Sequence, residues 1–289
     1  MRKCIFICVF NNEKYVNMTY LLLESIYRFG NLKEDTDILI YTSTVFMNMI
    51  KNSNYNNHNI VFEINDNIKP DIDNYMTIYN SCRSRLDLFY LKSVSNYDKI
   101  LYLDTDVLIK GDINPVFDLA KEEILYTLEE GQIDNPNTFW GNILFGKESE
   151  EYEDKTAFTT GILLFKNCEK MKFLFNKINE DTVQRPYRFC CLEQPFIIYN
   201  AFKLGMYNNK ILKDYAINHY FTENNVNPTS DKIIHHFPGG QDLKASVNKL
   251  VVMTRFLNEI KKDYNFQTID LFPSLTIFYK DYDKKIELV

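Results

Sequence analysis

Residues 99–109 read K-I-L-Y-L-D-T-D-V-L-I, two apolar runs parted by a pair of acids, Asp104 and Asp106. The run at 100–103 is apolar on both sides of the chain, the pattern of a strand buried on both faces. Such strands belong to sheets covered by helices, so the chain reads as α/β. Acids at the end of a buried strand are costly, and two flanking a single residue repel each other. In extended chain, residues i and i+2 point to the same side, which lets both carboxylates converge on one cation. Hard oxygen ligands suit Mg²⁺ or Mn²⁺, which complete their shells with phosphates and water. Aspartate also serves in turns and helix caps, and D-x-D alone occurs by chance. Here apolar segments on both sides place the pair on a tight connection inside a core, which favours a metal–diphosphate site.

The rest of the first half supports that architecture. Residues 4–10 read as a strand and 15–29 as a helix stopped by Gly30. A second strand at 37–42, a helix at 45–51, an Asn-rich loop at 52–59 and a third strand at 60–64 follow. Residues 81–95 read as a helix feeding the strand that ends at Asp104. This βαβαβα order predicts a doubly wound parallel sheet with ligands at the carboxyl ends of its strands. Beyond Asp106, the acidic segment 130–156 reads as a surface excursion. Strands at 160–166 and 232–236 and helices at 168–179, 191–202 and 244–260 are expected, then an aromatic tail. With no repeat and no linker, residues 1–262 are expected to form one domain, with 263–289 packed on it or extending from it.

Composition narrows the function. The chain has 289 residues, 45% of them apolar, with 20 Tyr and 22 Phe, enough for a large ring-packed core. A net charge of −6 argues against a nucleic-acid partner. An acidic protein that handles an anionic nucleotide must supply local positive charge from a metal or a few Arg and Lys. The six cysteines include no C-x-x-C pair, which favours free thiols in a reducing compartment. The opening apolar run stops at Asn11, too short for a signal peptide, and no stretch approaches the ~20 residues of a membrane span. A cytoplasmic protein is expected.

The segment 97–112, Y-D-K-I-L-Y-L-D-T-D-V-L-I-K-G-D, resembles the central signature of glycosyltransferase family 8, the glycogenin-like GT-A enzymes. The resemblance implies a Rossmann-like mixed sheet flanked by helices. It also implies a divalent cation, Mn²⁺ or Mg²⁺, held by Asp104, Asp106 and the His of a His-Phe-x-Gly segment. Phe237 and Gly239 fall into register when that His is His236, leaving His235 to packing on the other face. Asn11, Asn12 and Tyr15 match the uridine-binding loop, and Asn12 also suits a helix N-cap. Arg85, or in its place Arg83, matches a basic residue near the sugar-phosphate. Thr105, Thr159 and Gly239 fall among the donor contacts, and Glu193-Gln194 stands where the family has Asp-Gln beside the reacting carbon. The family's Lys-Pro-Trp is missing, and Lys244 is the candidate for its phosphate-binding lysine.

The implied activity is retaining transfer of a hexose from a UDP-sugar, with Gln194 and Glu193 as candidate catalytic groups. The acceptor is unknown (protein, glycan or small molecule), and a homodimer is compatible with the pattern. Two alternatives stand beside it. A haloacid-dehalogenase-type phosphatase also uses an apolar strand with D-x-D, though on its first strand. A retired UDP-sugar-binding protein would explain the departures at Thr159, Glu193 and the missing Lys-Pro-Trp.

Overall fold

A computed structural model describes residues 1–57, 59–68, 75–133, 139–185, 189, 191–219, 229–239 and 243–263, with backbone alone for 75–78, 243–248 and 263. The tail at 264–289, Cys190 and the Lys244 side chain lie outside this description.

The first half alternates as its sequence dictates: β1 (Lys3–Val9), α1 (Glu13–Phe29), β2 (Thr36–Thr42), α2 (Thr44–Lys51) and β3 (Ile60–Ile64). Asn12, in extended conformation, starts α1 by accepting from the Lys14 N–H at 3.0 Å, and Ser43 does the same for α2 from Phe46 at 3.3 Å. The helix expected at 81–95 is broken into α3 (Tyr75–Arg83) and two 3₁₀ turns, Ser84–Tyr90 and Lys92–Asn96. Side chains compete with the α-helical ladder there: Ser84 Oγ donates to the Ser81 carbonyl at 2.6 Å and Arg85 Nε to the Cys82 carbonyl at 3.2 Å. These turns lead into β4 (Lys99–Leu103), every residue of which is buried.

After Asp106 come β5 (Val107–Ile109), α4 (Asn114–Asp118), β6 (Leu125–Gln132), α5 (Asn142–Phe145), β7 (Thr156–Lys166) and α6 (Glu169–Gln184). Then follow α7 (Gln194–Lys203), β8 (Tyr207–Asn208), β9 (Ala216–Asn218), β10 (Ile234–His236) and α8 (Leu243–Asp263). The large sheet runs β3-β2-β1-β4-β7-β6-β8. It is parallel from β3 to β4, but β7 pairs antiparallel with both β4 and β6. The parallel pairing expected from the first half holds across β3-β2-β1-β4, and the antiparallel β7 makes the sheet mixed, as the family resemblance implied. The segment 130–156 is only partly a surface excursion. It completes β6, and its Ile133, Trp140, Leu144 and Phe145 are buried.

A second sheet, β5-β10-β9, starts where the D-x-D turn leaves the first. β5 and β10 are antiparallel with Val107 opposite His236, and the Phe237 N–H donates to the Asp106 carbonyl at 2.9 Å. Apolar clusters cover both faces of the main sheet, one including Phe6, Tyr102 and Phe165, the other Ile5, Leu101 and Ile162. A third seats α8 on α1 through Met18, Leu21, Met253 and Phe256. The buried Lys261 ammonium, 2.7 Å from Glu24, fixes the same contact. Among the described residues, no helix is long and apolar enough to cross a membrane.

Candidate active site

The carboxyl ends of β1, β4 and β6 and the start of β7 share one edge of the sheet, and a cavity of about 810 Å³ opens there. Asn11, Asn12, Tyr15, Arg85, Asp104, Thr105, Asp106, Thr159, Glu193, Gln194, His236 and Gly239 all line it. Arg83 does not; it bonds Asn179 on α6.

One ligand atom from each of Asp104, Asp106 and His236 lies within 4.8 Å of the others. His236 Nε2 is 3.5 Å from Asp106 Oδ1, a buried oxygen with no hydrogen-bond partner among the described residues. Ligands about 2.1 Å from an octahedral ion stand roughly 3 Å apart when adjacent and roughly 4.2 Å apart when opposite, so a small closure suffices. Asn218 Oδ1 on β9 sits 2.8 Å from His236 Nδ1. That contact keeps the proton on Nδ1 and leaves the Nε2 lone pair for a cation. The cradle has its own glycine: a Cβ on Gly161 would fall 2.4 Å from His236 Nε2 and 3.0 Å from Asp104 Oδ2. Two carboxylates, an imidazole and a space kept clear of side chain fit a divalent ion.

Each acid has a cationic partner. Arg85, 7% exposed, reaches Asp104 through Nη2 at 3.2 Å, Glu193 through Nε at 2.9 Å and the Thr160 carbonyl through Nη1 at 2.6 Å. Its guanidinium carbon also sits 4.7 Å from the centre of the Tyr102 ring, and the Tyr102 hydroxyl donates to Asp104. All three guanidinium nitrogens are engaged, so Arg85 acts first as the brace between two acids. Burial pushes the Glu193 carboxyl up, with Arg85 pulling the other way, and its Oε2 has no partner among the described residues. Gln194 Oε1 accepts from the backbone N–H and the hydroxyl of Thr160, both at 3.2 Å. That leaves its amide N–H₂ as the free end. Asn11 holds a left-handed φ of 80° at the turn from β1 into α1. Burial raises the Tyr15 hydroxyl, which stays neutral. His235 is turned away, with Nδ1 2.8 Å from His219 Nε2 and Nε2 2.8 Å from the Lys232 carbonyl.

Lys249, which no sequence pattern singled out, reaches Asp106 Oδ2 at 2.5 Å from α8. Burial works against the Asp106 carboxylate, but Lys249, with His236, holds it well below the usual carboxylate range. A depressed folded value stabilises the fold above the unfolded value near ~3.9, and that contribution is lost as pH falls further. Lys249→Met removes most of this pull. With chelator present, its unfolding free energy should therefore fall less steeply between pH 4 and 2 than that of the parent. Parallel curves in urea titrations would show that the ion pair does not govern Asp106.

The sequence profile of the family described as Glycosyl transferase family 8 matches residues 7–236. Among solved structures, the galactosyltransferase LgtC in complex with donor and acceptor sugar analogues is similar over 89% of this chain and 95% of its own, with a TM-score of 0.59 and 18% identity. The bifunctional glycosyltransferase WbbM is similar over 96% of this chain and 51% of its own (TM-score 0.62, 14% identity). Mouse xyloside xylosyltransferase 1 is similar over 83% and 99% (TM-score 0.55, 12% identity). At these identities the likeness establishes the GT-A fold. No curated protein sequence matches significantly. The profile match runs from β1 through the D-x-D turn to the imidazole that meets it, and the chain belongs to glycosyl transferase family 8.

Proposed function

We propose that this glycosyltransferase moves a hexose from a UDP-sugar to an acceptor with retention of anomeric configuration, using Mn²⁺ or Mg²⁺. The observation that carries the reading is the cradle of Asp104, Asp106 and His236 closed by Gly161, with Lys249 at its rim. When bound, the cation supplies Lewis-acid stabilisation of the charge that builds on the diphosphate leaving group. Lys249 adds fixed positive charge beside it, the part that Lys244 was expected to play. Asn11, Asn12 and Tyr15 bind the uracil end. Arg85 holds Asp104 and Glu193 in place. Glu193 Oε2, without a partner among the described residues, would accept from a hydroxyl of the donor sugar, and the Gln194 N–H₂ would serve beside its reacting carbon. The family match removes the basis of the phosphatase alternative.

The test is UDP release from UDP-glucose, UDP-galactose and UDP-N-acetylglucosamine, with Mn²⁺ or chelator, for the parent and Asp106→Asn. Metal-dependent release that drops at least a hundredfold in the variant is expected. Release indifferent to both metal and mutation sinks the reading. Tight UDP binding without turnover on any donor would mark a retired site.

A further inference from the structure

The foot of the main sheet, at the end away from the cavity, holds charges that the transfer reaction does not use. Lys3 opens β1, Lys99 opens β4 and Lys166 closes β7. Lys3 is paired with Lys99 in parallel register and Lys99 with Lys166 in antiparallel register, so the three stand abreast. Residues directly opposite one another point to the same face, and two strand spacings of about 4.8 Å give a row roughly 10 Å long. Like charges set opposite each other weaken a sheet, and this row does so twice in a chain of net charge −6. β4 runs from Lys99 to Leu103 at about 3.3 Å per residue, which puts the row roughly 16 Å from Asp104. It is a separate place from the cavity.

Little negative charge meets these ammoniums. Lys99 is 7% exposed, and its Nζ donates to the Phe117 carbonyl at 2.8 Å. That engages one of its three N–H donors, and no carboxylate reaches ion-pair distance of it among the described residues. Burial lowers the Lys99 pKa; Asp118 opposes that shift, while Lys3, Lys166 and Lys121 add to it. Lys3 is equally covered, with its Nζ 3.9 Å from Asp35 and 5.7 Å from the centre of the Phe117 ring. Lys166 donates to the Lys121 carbonyl, beside a fourth ammonium. Two other acids at this end are turned to Arg2: Asp37 meets its guanidinium at 2.5 Å and Asp98 its backbone N–H at 2.7 Å. Carbonyls after α4 carry only partial charge, so they hold the lysines in place without cancelling them. A buried ammonium is ordinarily matched by an anion, and here the matching anion is missing from the chain itself.

We propose that this row is a second binding site, for a multiply charged phosphate group seated on Lys99, Lys166 and Lys121 with Lys3 behind them. Lys166 is half-buried and Lys121 exposed, so the row is open to solvent on that side. Ammonium groups on flexible stems act as point charges toward phosphate oxygens, and their donors are spare here. A row about 10 Å long suits two or more phosphates better than one. The group belongs either to a free polyphosphate or to the headgroups of an anionic bilayer, two sources with the same chemistry. The site stands apart from the donor reading, because it uses none of the cavity residues and needs no metal.

The full chain, in chelator so that the metal cradle plays no part, is titrated calorimetrically with pyrophosphate and with tripolyphosphate at low salt. Saturable binding of at least one is expected, and it should weaken as salt is added. The double variant Lys121→Gln with Lys166→Gln changes the two lysines nearest solvent and should weaken binding at least tenfold. Lys249→Met, at the cavity, should leave it unchanged. Tripolyphosphate should also raise the Tm of the parent and not that of the double variant. Sedimentation with phosphatidic acid but not phosphatidylcholine vesicles, lost in the double variant, identifies a lipid headgroup as the source; otherwise the ligand is a free polyphosphate. No saturable binding of either polyanion, equal affinity in the double variant, or binding lost in Lys249→Met each overturns the proposal. Failure of the donor reading is seen separately, as the absence of any metal-dependent UDP release.

Discussion

Gly161→Ala should lower metal-dependent sugar transfer about a thousandfold while leaving the fold in place. Gly161 lies inside β7 and not in the left-handed region, so an alanine there meets no backbone penalty. What it meets is the cradle: its methyl would sit 2.4 Å from His236 Nε2, 2.5 Å from Cε1 and 3.0 Å from Asp104 Oδ2. The imidazole cannot yield easily, because Asn218 fixes its Nδ1 at 2.8 Å and the ring is buried. The methyl and the ion therefore compete for one space. Several kcal/mol of charge stabilisation go with the ion, and about 4 kcal/mol is a thousandfold in rate. Overpacking costs about 1–3 kcal/mol, a fall of several degrees in Tm for a chain of this size. Calorimetric Mn²⁺ titration decides the point. An alanine variant that binds Mn²⁺ as the parent does would show that the ion sits elsewhere.

Arg85→Met should cost stability first and activity with it, about 3–5 kcal/mol in unfolding free energy. The guanidinium is buried between Asp104, Glu193 and the Thr160 carbonyl, so its loss strands an acid that is only 2% exposed. Glu193 already has a raised carboxyl from burial, and without Arg85 it rises further. The penalty of a raised acid is absent below its unfolded value near ~4.3 and appears as pH climbs through the folded one. The deficit of the variant should therefore shrink toward pH 4. Adding Glu193→Gln should recover part of it at neutral pH, since the stranded charge is removed. Denaturant melts of both single variants and the double variant give the coupling directly. A single-variant loss under 1 kcal/mol, or no recovery in the double, would show that the brace is not what holds the acids.

Local order was legible where near neighbours decide it. The four apolar runs that became β1 to β4 and the Asn12 cap follow from residues close together in the chain, whereas the two carboxylates meet across the turn at 104–106 and not along extended chain. The register of His236 with Phe237 and Gly239 was equally local. The helix at 81–95 misled because its periodicity is helical while Ser84 and Arg85 spend their donors on backbone carbonyls three residues back. Gly161 had one faint signal, a glycine inside an apolar strand, which often marks close approach.

Tertiary structure decided the rest, because it depends on contacts between distant segments. Lys249 meets Asp106 across 143 positions, and on an amphipathic helix it is indistinguishable from any solvent-facing lysine until Met18 and Leu21 seat α8 on α1. Trp140 lay in an acidic stretch with every mark of surface, and only the antiparallel return of β7 beside β6 turned it into the cavity wall. His236 reaches the aspartates through a second sheet whose strands are three residues each, too short to announce their partners. Burial periodicity writes each strand and helix into its own residues; convergence at a site is written only in how those elements pack.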